Sequence, residues 1–145
     1  MALEKLYQSI LLEHNRQPRN CKRLASATHR ARGHDASCGD DLLIELTVID
    51  GRIREAAFSG RACAVTQAAA SMLTEWLQGR SVDEVGGGLD RFRALLENAD
   101  AEPDEALGEL NQLQPVGAFP ARRRNALLPW KTALRALEAS GTAAS

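Results

Sequence analysis

Residues 42–58 read Leu42-Leu43-Ile44-Glu45-Leu46-Thr47-Val48-Ile49-Asp50-Gly51-Arg52-Ile53-Arg54-Glu55-Ala56-Ala57-Phe58. Leu42, Ile44, Leu46 and Val48 alternate with Leu43, Glu45, Thr47 and Ile49, the period of two that sends successive side chains of a strand to opposite faces. Asp50-Gly51 supplies a tight turn, and Arg52 to Phe58 returns as the second strand of a β-hairpin. After Gly60 the period changes. Val65, Ala68, Ala69, Met72, Leu73, Trp76 and Leu77 form a helical stripe that Gly79 stops, and the Ala-rich surface of this helix permits close packing on the sheet.

Outward from this centre, Leu3, Leu6, Tyr7, Ile10 and Leu11 mark an amphipathic N-terminal helix that ends near Pro18. His14 to His34 holds six Arg or Lys and no acid, a surface loop leading into a short strand over 27–32. Ser81-Val82-Asp83-Glu84 has the form of a capping box, predicting a short helix before a break at Gly86-Gly87-Gly88. Leu89, Phe92, Leu96 and Ala99 predict a further helix, and 103–113 another. The acidic stretch 83–109 reads as a solvated helical face. A last helix over 121–139 buries Ala126, Leu127, Trp130, Ala133, Leu134 and Leu137, with 140–145 as a frayed tail. Helix, strands, then helices predict a single α+β domain over 1–145: a small antiparallel sheet with helices packed on one face.

The chain has 145 residues, 44% hydrophobic and 26% charged, with 18 Lys plus Arg against 19 Asp plus Glu. That composition excludes disordered and fibrous classes, and a core of this size needs no metal or disulfide to hold it. A balanced charge argues against nucleic-acid binding. No apolar run reaches a membrane span, and Glu4 and Lys5 spoil a signal peptide, so a cytoplasmic location is expected. Cys21, Cys38 and Cys63 are odd in number and far apart, which argues against a disulfide framework.

Cys38-Gly39-Asp40 precedes the first hairpin strand. In extended chain, residues two apart share a side, so a thiol and a carboxylate face one point. Cys63 opens the central helix, where free backbone N–H groups and the helix dipole favour a thiolate. The hairpin returns the chain on itself, which makes Cys38 and Cys63 plausible neighbours. Two readings stand side by side. Buried cysteines act as small hydrophobes and a carboxylate beside a glycine often only caps; two thiolates and one carboxylate also suit zinc with an open fourth position. Arg122-Arg123-Arg124 opposes the dipole of the last helix, and either faces solvent or meets an anionic partner surface.

Cys38-Gly39-Asp40, the run from Gly60-Arg61-Ala62-Cys63 to Met72, Leu6-Tyr7, and His14 through Pro18-Arg19-Asn20 together resemble the U-type iron–sulfur assembly proteins, the SufU, IscU and NifU N-terminal scaffolds. Phe119-Pro120-Ala121-Arg122 and Trp130-Lys131 match the family's C-terminal helix signature, and the long segment after Cys63 resembles the SufU branch. The resemblance covers nearly the whole chain. It implies the matching α+β fold, a role in iron–sulfur cluster assembly with a SufS-like cysteine desulfurase as partner, and Cys38, Asp40 and Cys63 as ligands of zinc or of a transient iron–sulfur cluster. It further implies Cys38 as the acceptor of persulfide sulfur.

One position departs from the pattern. Asn125 stands where the resemblance implies a third cysteine, and an amide oxygen is a weak, neutral ligand beside thiolates. Pro129, four residues on, removes the hydrogen bond to the Asn125 carbonyl and predicts a kink. Cys21, His34, Asn125, water or a partner group are candidates to complete the ligand shell. For Cys21 the plainer reading is an incidental loop thiol; for His14, His29 and His34 it is a solvated or capping histidine. Two functions follow: a sulfur acceptor or relay working with a desulfurase, and a desulfurase-binding module that has lost metal and sulfur handling. A cluster scaffold completed by a partner or by Cys21 is a third.

Overall fold

In the computed structural model the backbone is described for residues 2–143 and the side chains for residues 9–138. The elements follow in the order α1 (Ala2–Arg16), β1 (His29–Asp35), β2 (Asp40–Ile49), β3 (Arg52–Arg61), α2 (Ala64–Leu77), α3 (Glu84–Glu97), a 3₁₀ segment (Glu105–Ala118) and α4 (Pro120–Ala143). The strands form one antiparallel sheet in the order β1-β2-β3. Asp50 and Gly51 take φ of 54° and 76°, the left-handed pair that closes a two-residue hairpin, and a bulge falls between Thr47 and Val48.

Register decides which side chains meet the helices. Leu42 pairs with Gly33 and Gly60, Ile44 with Ala31 and Phe58, and Leu46 with His29 and Ala56; this face joins Val65, Ala69, Met72, Leu73, Ala126 and Trp130 in the core. α4 lies across β1 at Gly33, where an added Cβ would collide with Thr132 Oγ1. The helices thus cover one face of the sheet, as the α+β reading expects. The opposite face is covered too, by residues 23–28. Lys22 N–H donates to the Phe58 carbonyl, the chain then crosses beneath β2, and Leu24 N–H donates to Glu45 Oε1. Leu43, Glu45 and Thr47, on this second face, are consequently buried.

Four boundaries differ from the sequence expectation. β1 runs to Asp35, beyond the predicted 27–32, because all seven of its residues pair with β2. Gly86-Gly87-Gly88 is no break: α3 passes through it, with Val85, Leu89 and Phe92 buried and Gly88 pressed against Trp76 and Trp130. Tertiary packing overrides low helix propensity there. The capping-box residues do interact, since Ser81 N–H donates to Glu84 Oε1. The helix expected over 103–113 is a 3₁₀ segment interrupted at Gly108, whose φ is 54°. α4 runs unbroken through Pro129 to Ala143. The expected tail at 140–145 otherwise lies outside the described residues, as do the side chains of Leu3, Leu6 and Tyr7.

Candidate functional site

The loop Ala36–Gly39 between β1 and β2 is braced around Cys38. Asp35 Oδ1 accepts from Ser37 N–H at 3.1 Å and from the Ser37 hydroxyl, and Cys38 N–H donates to the Asp35 carbonyl at 3.2 Å. Arg124 braces the turn from α4, donating to Ser37 Oγ at 3.3 Å and pairing with Asp35 at 3.6 Å. The Ser37 bonds, with Arg124 nearby, hold the Asp35 carboxyl below the ordinary carboxylate range. Gly39 turns the chain with φ of 73°, a conformation that disfavours other residues. Cys38 is left half-buried at the mouth of the loop.

Asp40 shares the helix-facing side of β2 with Leu42 and is 3% exposed. A buried carboxylate requires partners, and three converge on it. Cys63 N–H donates to Oδ1 at 2.7 Å, the Thr66 hydroxyl to Oδ2 at 2.6 Å and Asn125 Nδ2 to Oδ2 at 3.1 Å. Asp40 therefore supplies, from a different strand, the anionic cap that Cys63, the N-cap residue of α2, does not provide with its own side chain. Cys63 Sγ lies 3.3 Å from Thr66 Oγ1 and is half-buried.

Asn125, fully buried on the first turns of α4, completes the centre. A carboxylate only accepts, so the amide NH₂ group must face Asp40, which leaves the amide oxygen to the Cys38 thiol at 3.5 Å. One side chain thus ties Cys38 to Asp40, and through Asp40 to Cys63. Among the described residues, no buried side-chain nitrogen or oxygen is left without a partner.

The structure gathers the predicted Cys38, Asp40, Cys63 and Asn125 into one hydrogen-bonded cluster at the ends of β1, β2 and β3 and the starts of α2 and α4. Two thiols and a carboxylate are a donor set that zinc accepts, but the bonds already made here oppose it. Asp40 is committed to three donors, and one of them is the NH₂ group of Asn125, the positive pole of its amide, held against Oδ2. Among the described residues, no group of three His, Cys, Asp or Glu is placed to hold a metal ion. As folded, the cluster does not fit a resident zinc.

The candidate additional ligands sit elsewhere. His34 is 66% exposed and pairs with Asp41. Cys21 is exposed and bridges Phe58 on the edge of β3. His29 meets Thr28 Oγ1. His14 is neither solvated nor a cap: it is fully buried, with Nδ1 2.6 Å from Ser71 Oγ and Nε2 3.0 Å from Glu109 Oε1. Sequence reading missed Thr66, although a residue three beyond an N-cap is the place for such a contact. It also missed the Asp35–Ser37–Arg124 brace, which no sequence period announces.

Comparison with known proteins places the chain in a class. Residues 6–124 match the model of the NifU-like N-terminal domain, and the chain belongs to that family, which includes SufU and IscU proteins of iron–sulfur cluster assembly. It is 27% identical to the zinc-dependent sulfurtransferase SufU of Bacillus subtilis, over 89% of this chain and 87% of that protein. It is 27% identical to the iron–sulfur cluster assembly scaffold protein IscU of Thermotoga maritima, over 95% and 96%. In fold it matches a NifU-like N-terminal protein from Brucella abortus with TM-score 0.85 and 22% identity, over 98% of this chain and 99% of that one.

Proposed function

We propose that this protein serves iron–sulfur cluster assembly as a sulfur acceptor, with Cys38 receiving sulfur from the persulfide of a partner cysteine desulfurase. The observation that carries this reading is the presentation of Cys38. Its sulfur stands half-buried on a braced, glycine-turned loop, beside a second thiol and a carboxylate. A thiol kept for packing has no need of such a brace.

The transfer itself is thiol–disulfide exchange. The Cys38 thiol loses its proton, and the thiolate attacks the terminal sulfur of the partner's Cys–S–SH group. A bond forms between Cys38 Sγ and that sulfur while the partner's S–S bond breaks. The partner cysteine leaves as thiolate and takes up a proton, and no external oxidant or reductant is required. Asn125 and the loop hold the acceptor sulfur in place, a positional contribution to an otherwise bimolecular step.

Desulfurase turnover and persulfide labelling of Cys38 test the proposal. Turnover rises with the wild-type protein and not with Cys38→Ala, and mass spectrometry finds the added sulfur on Cys38. Absence of both effects with wild type removes the reading. A second reading, a desulfurase-binding module that no longer handles sulfur, is favoured by the closed hydrogen bonding around Asn125, and binding without labelling would establish it.

A further inference from the structure

We propose that Asn125 makes this a metal-independent thiol site: its amide closes the cluster with hydrogen bonds, so that Cys38 accepts sulfur without a zinc ion at rest. The inference rests on the acceptor role of Cys38 for its second test only. Its basis is the direction of the amide. Nδ2 points at Asp40 Oδ2 at 3.1 Å and Oδ1 faces the Cys38 sulfur at 3.5 Å. A divalent cation placed between Cys38, Cys63 and Asp40 meets the N–H pole of a side chain that is fully buried and cannot swing into solvent.

Turning the amide over does not open the site. The oxygen would then face the Asp40 carboxylate, acceptor against acceptor, and the NH₂ group would still occupy the side of Cys38. Rotating Asp40 toward an ion strips the bonds from Cys63 N–H and the Thr66 hydroxyl, leaving the N–H that opens α2 without its carboxylate and the buried Thr66 hydroxyl with only the Cys63 sulfur as partner. A neutral amide oxygen repays little of that loss, since it is a poor partner for a zinc already bound to thiolates. Substituting a thiol for the amide reverses each of these terms at once: the N–H pole disappears, Asp40 is released on one side, and a third sulfur enters the cluster.

Zinc is titrated into the full chain against a chromophoric chelator, for wild type and Asn125→Cys, with folding checked by circular dichroism. Wild type is expected to bind zinc on the order of a hundredfold or more weakly than Asn125→Cys, at least the loss that an outer-shell defect causes in a zinc site. Stoichiometric zinc on wild type, held as tightly as by Asn125→Cys, overturns the proposal. Should Asn125→Cys not fold, the wild-type titration decides alone: tight binding of one zinc refutes, and no binding at micromolar zinc supports. Persulfide labelling of Cys38 is then repeated with chelator in excess. Labelling that persists supports metal independence, and labelling that the chelator abolishes overturns it while leaving the acceptor role intact. If Cys38 is never labelled, the acceptor role falls and the titration still decides the metal question.

Discussion

Thr66 shows how much of the site depends on single atoms. Its hydroxyl donates to Asp40 Oδ2 at 2.6 Å with both residues buried. Thr66→Val keeps the shape and deletes the donor, which leaves a buried carboxylate oxygen with Asn125 as its remaining partner. We expect a loss of about 1–3 kcal/mol, the penalty of an under-bonded buried group, read from urea unfolding midpoints at constant m-value. Glu45 poses the corresponding question on the other face of the sheet. It is 1% exposed, and burial pushes its carboxyl up, but bonds from Arg23, Arg30 and Leu24 N–H more than offset this and leave it below the ordinary carboxylate range. A carboxyl with a depressed folded-state pKa stabilises the fold fully above its unfolded pKa, and this is lost as pH falls through the folded value. Wild type should therefore exceed Glu45→Gln in stability at pH 7, with the difference shrinking below about pH 4. Arg23 and Arg30 keep 65% and 48% side-chain exposure, so the guanidinium groups left behind are resolvated. The expected cost is about 1–2 kcal/mol, below the 3–5 kcal/mol of breaking a fully buried pair. A difference that does not vary between pH 7 and pH 3 would show that Glu45 contributes by packing alone.

Among the elements, α3 separates local propensity from tertiary demand within three consecutive residues. An added Cβ at Gly86 or Gly87 meets nothing within 4 Å, whereas at Gly88 it stands 2.6 Å from both Trp130 and Trp76. Gly86→Ala and Gly87→Ala should each stabilise the protein by about 0.5–1 kcal/mol through reduced backbone entropy of the unfolded chain. Gly88→Ala should destabilise it by about 1–3 kcal/mol through overpacking. Thermal denaturation of the three variants checks the contrast, and a shared sign would mean that the tryptophan contact does not set the helix position. The same helix marks where the sequence could be read and where it could not. The hairpin, α2 and the apolar face of α4 were legible because their periods of two and of 3.6 are unbroken. The course of α3 through three glycines was not, because it is held by the burial of Val85, Leu89 and Phe92 and by the packing of Gly88 on Trp76 and Trp130, tertiary contacts that no local pattern announces. In the site, Cys38, Asp40 and Cys63 were legible from their places at element ends. The role of Asn125 was half legible: its departure from the resemblance was visible, but a missing thiol and a built-in hydrogen-bond bridge look identical until α4 is laid beside the β1–β2 loop.

For the molecule as a whole, a net charge of −1 conceals a strong division. Residues 83–109 carry nine Asp or Glu against Arg91 and Arg93, while 119–135 carry five Lys or Arg and no acid. The fold brings the basic end of α4 to the acceptor loop. Arg124, Lys131 and His34 line a cleft of about 330 Å³ together with Asp35, Ala36 and Leu128, and Arg122 is exposed one turn from Asn125. Protein association is steered by such fields over roughly a Debye length, about 8 Å at physiological salt. Under the proposed function, a desulfurase that carries its persulfide within an anionic surface would cross this positive region to reach Cys38, and the charge beside the thiol would then set part of the encounter rate. For such an anionic partner, Arg122→Glu combined with Lys131→Glu should lower the association rate about tenfold at low ionic strength and flatten its salt dependence, and an unchanged or raised rate would show that this region meets no anionic surface. Folding stability should change by less than about 0.5 kcal/mol, since both side chains lie at exposed positions. The control is reversal on the acidic side, with Asp90→Lys and Glu97→Lys on α3, which should leave the rate within about twofold because those residues lie outside the basic region. Stopped-flow association measured across a salt series distinguishes the two surfaces. If reversal on α3 slows association as much as reversal on α4, the partner does not approach over Cys38, and sulfur transfer to that thiol loses its route.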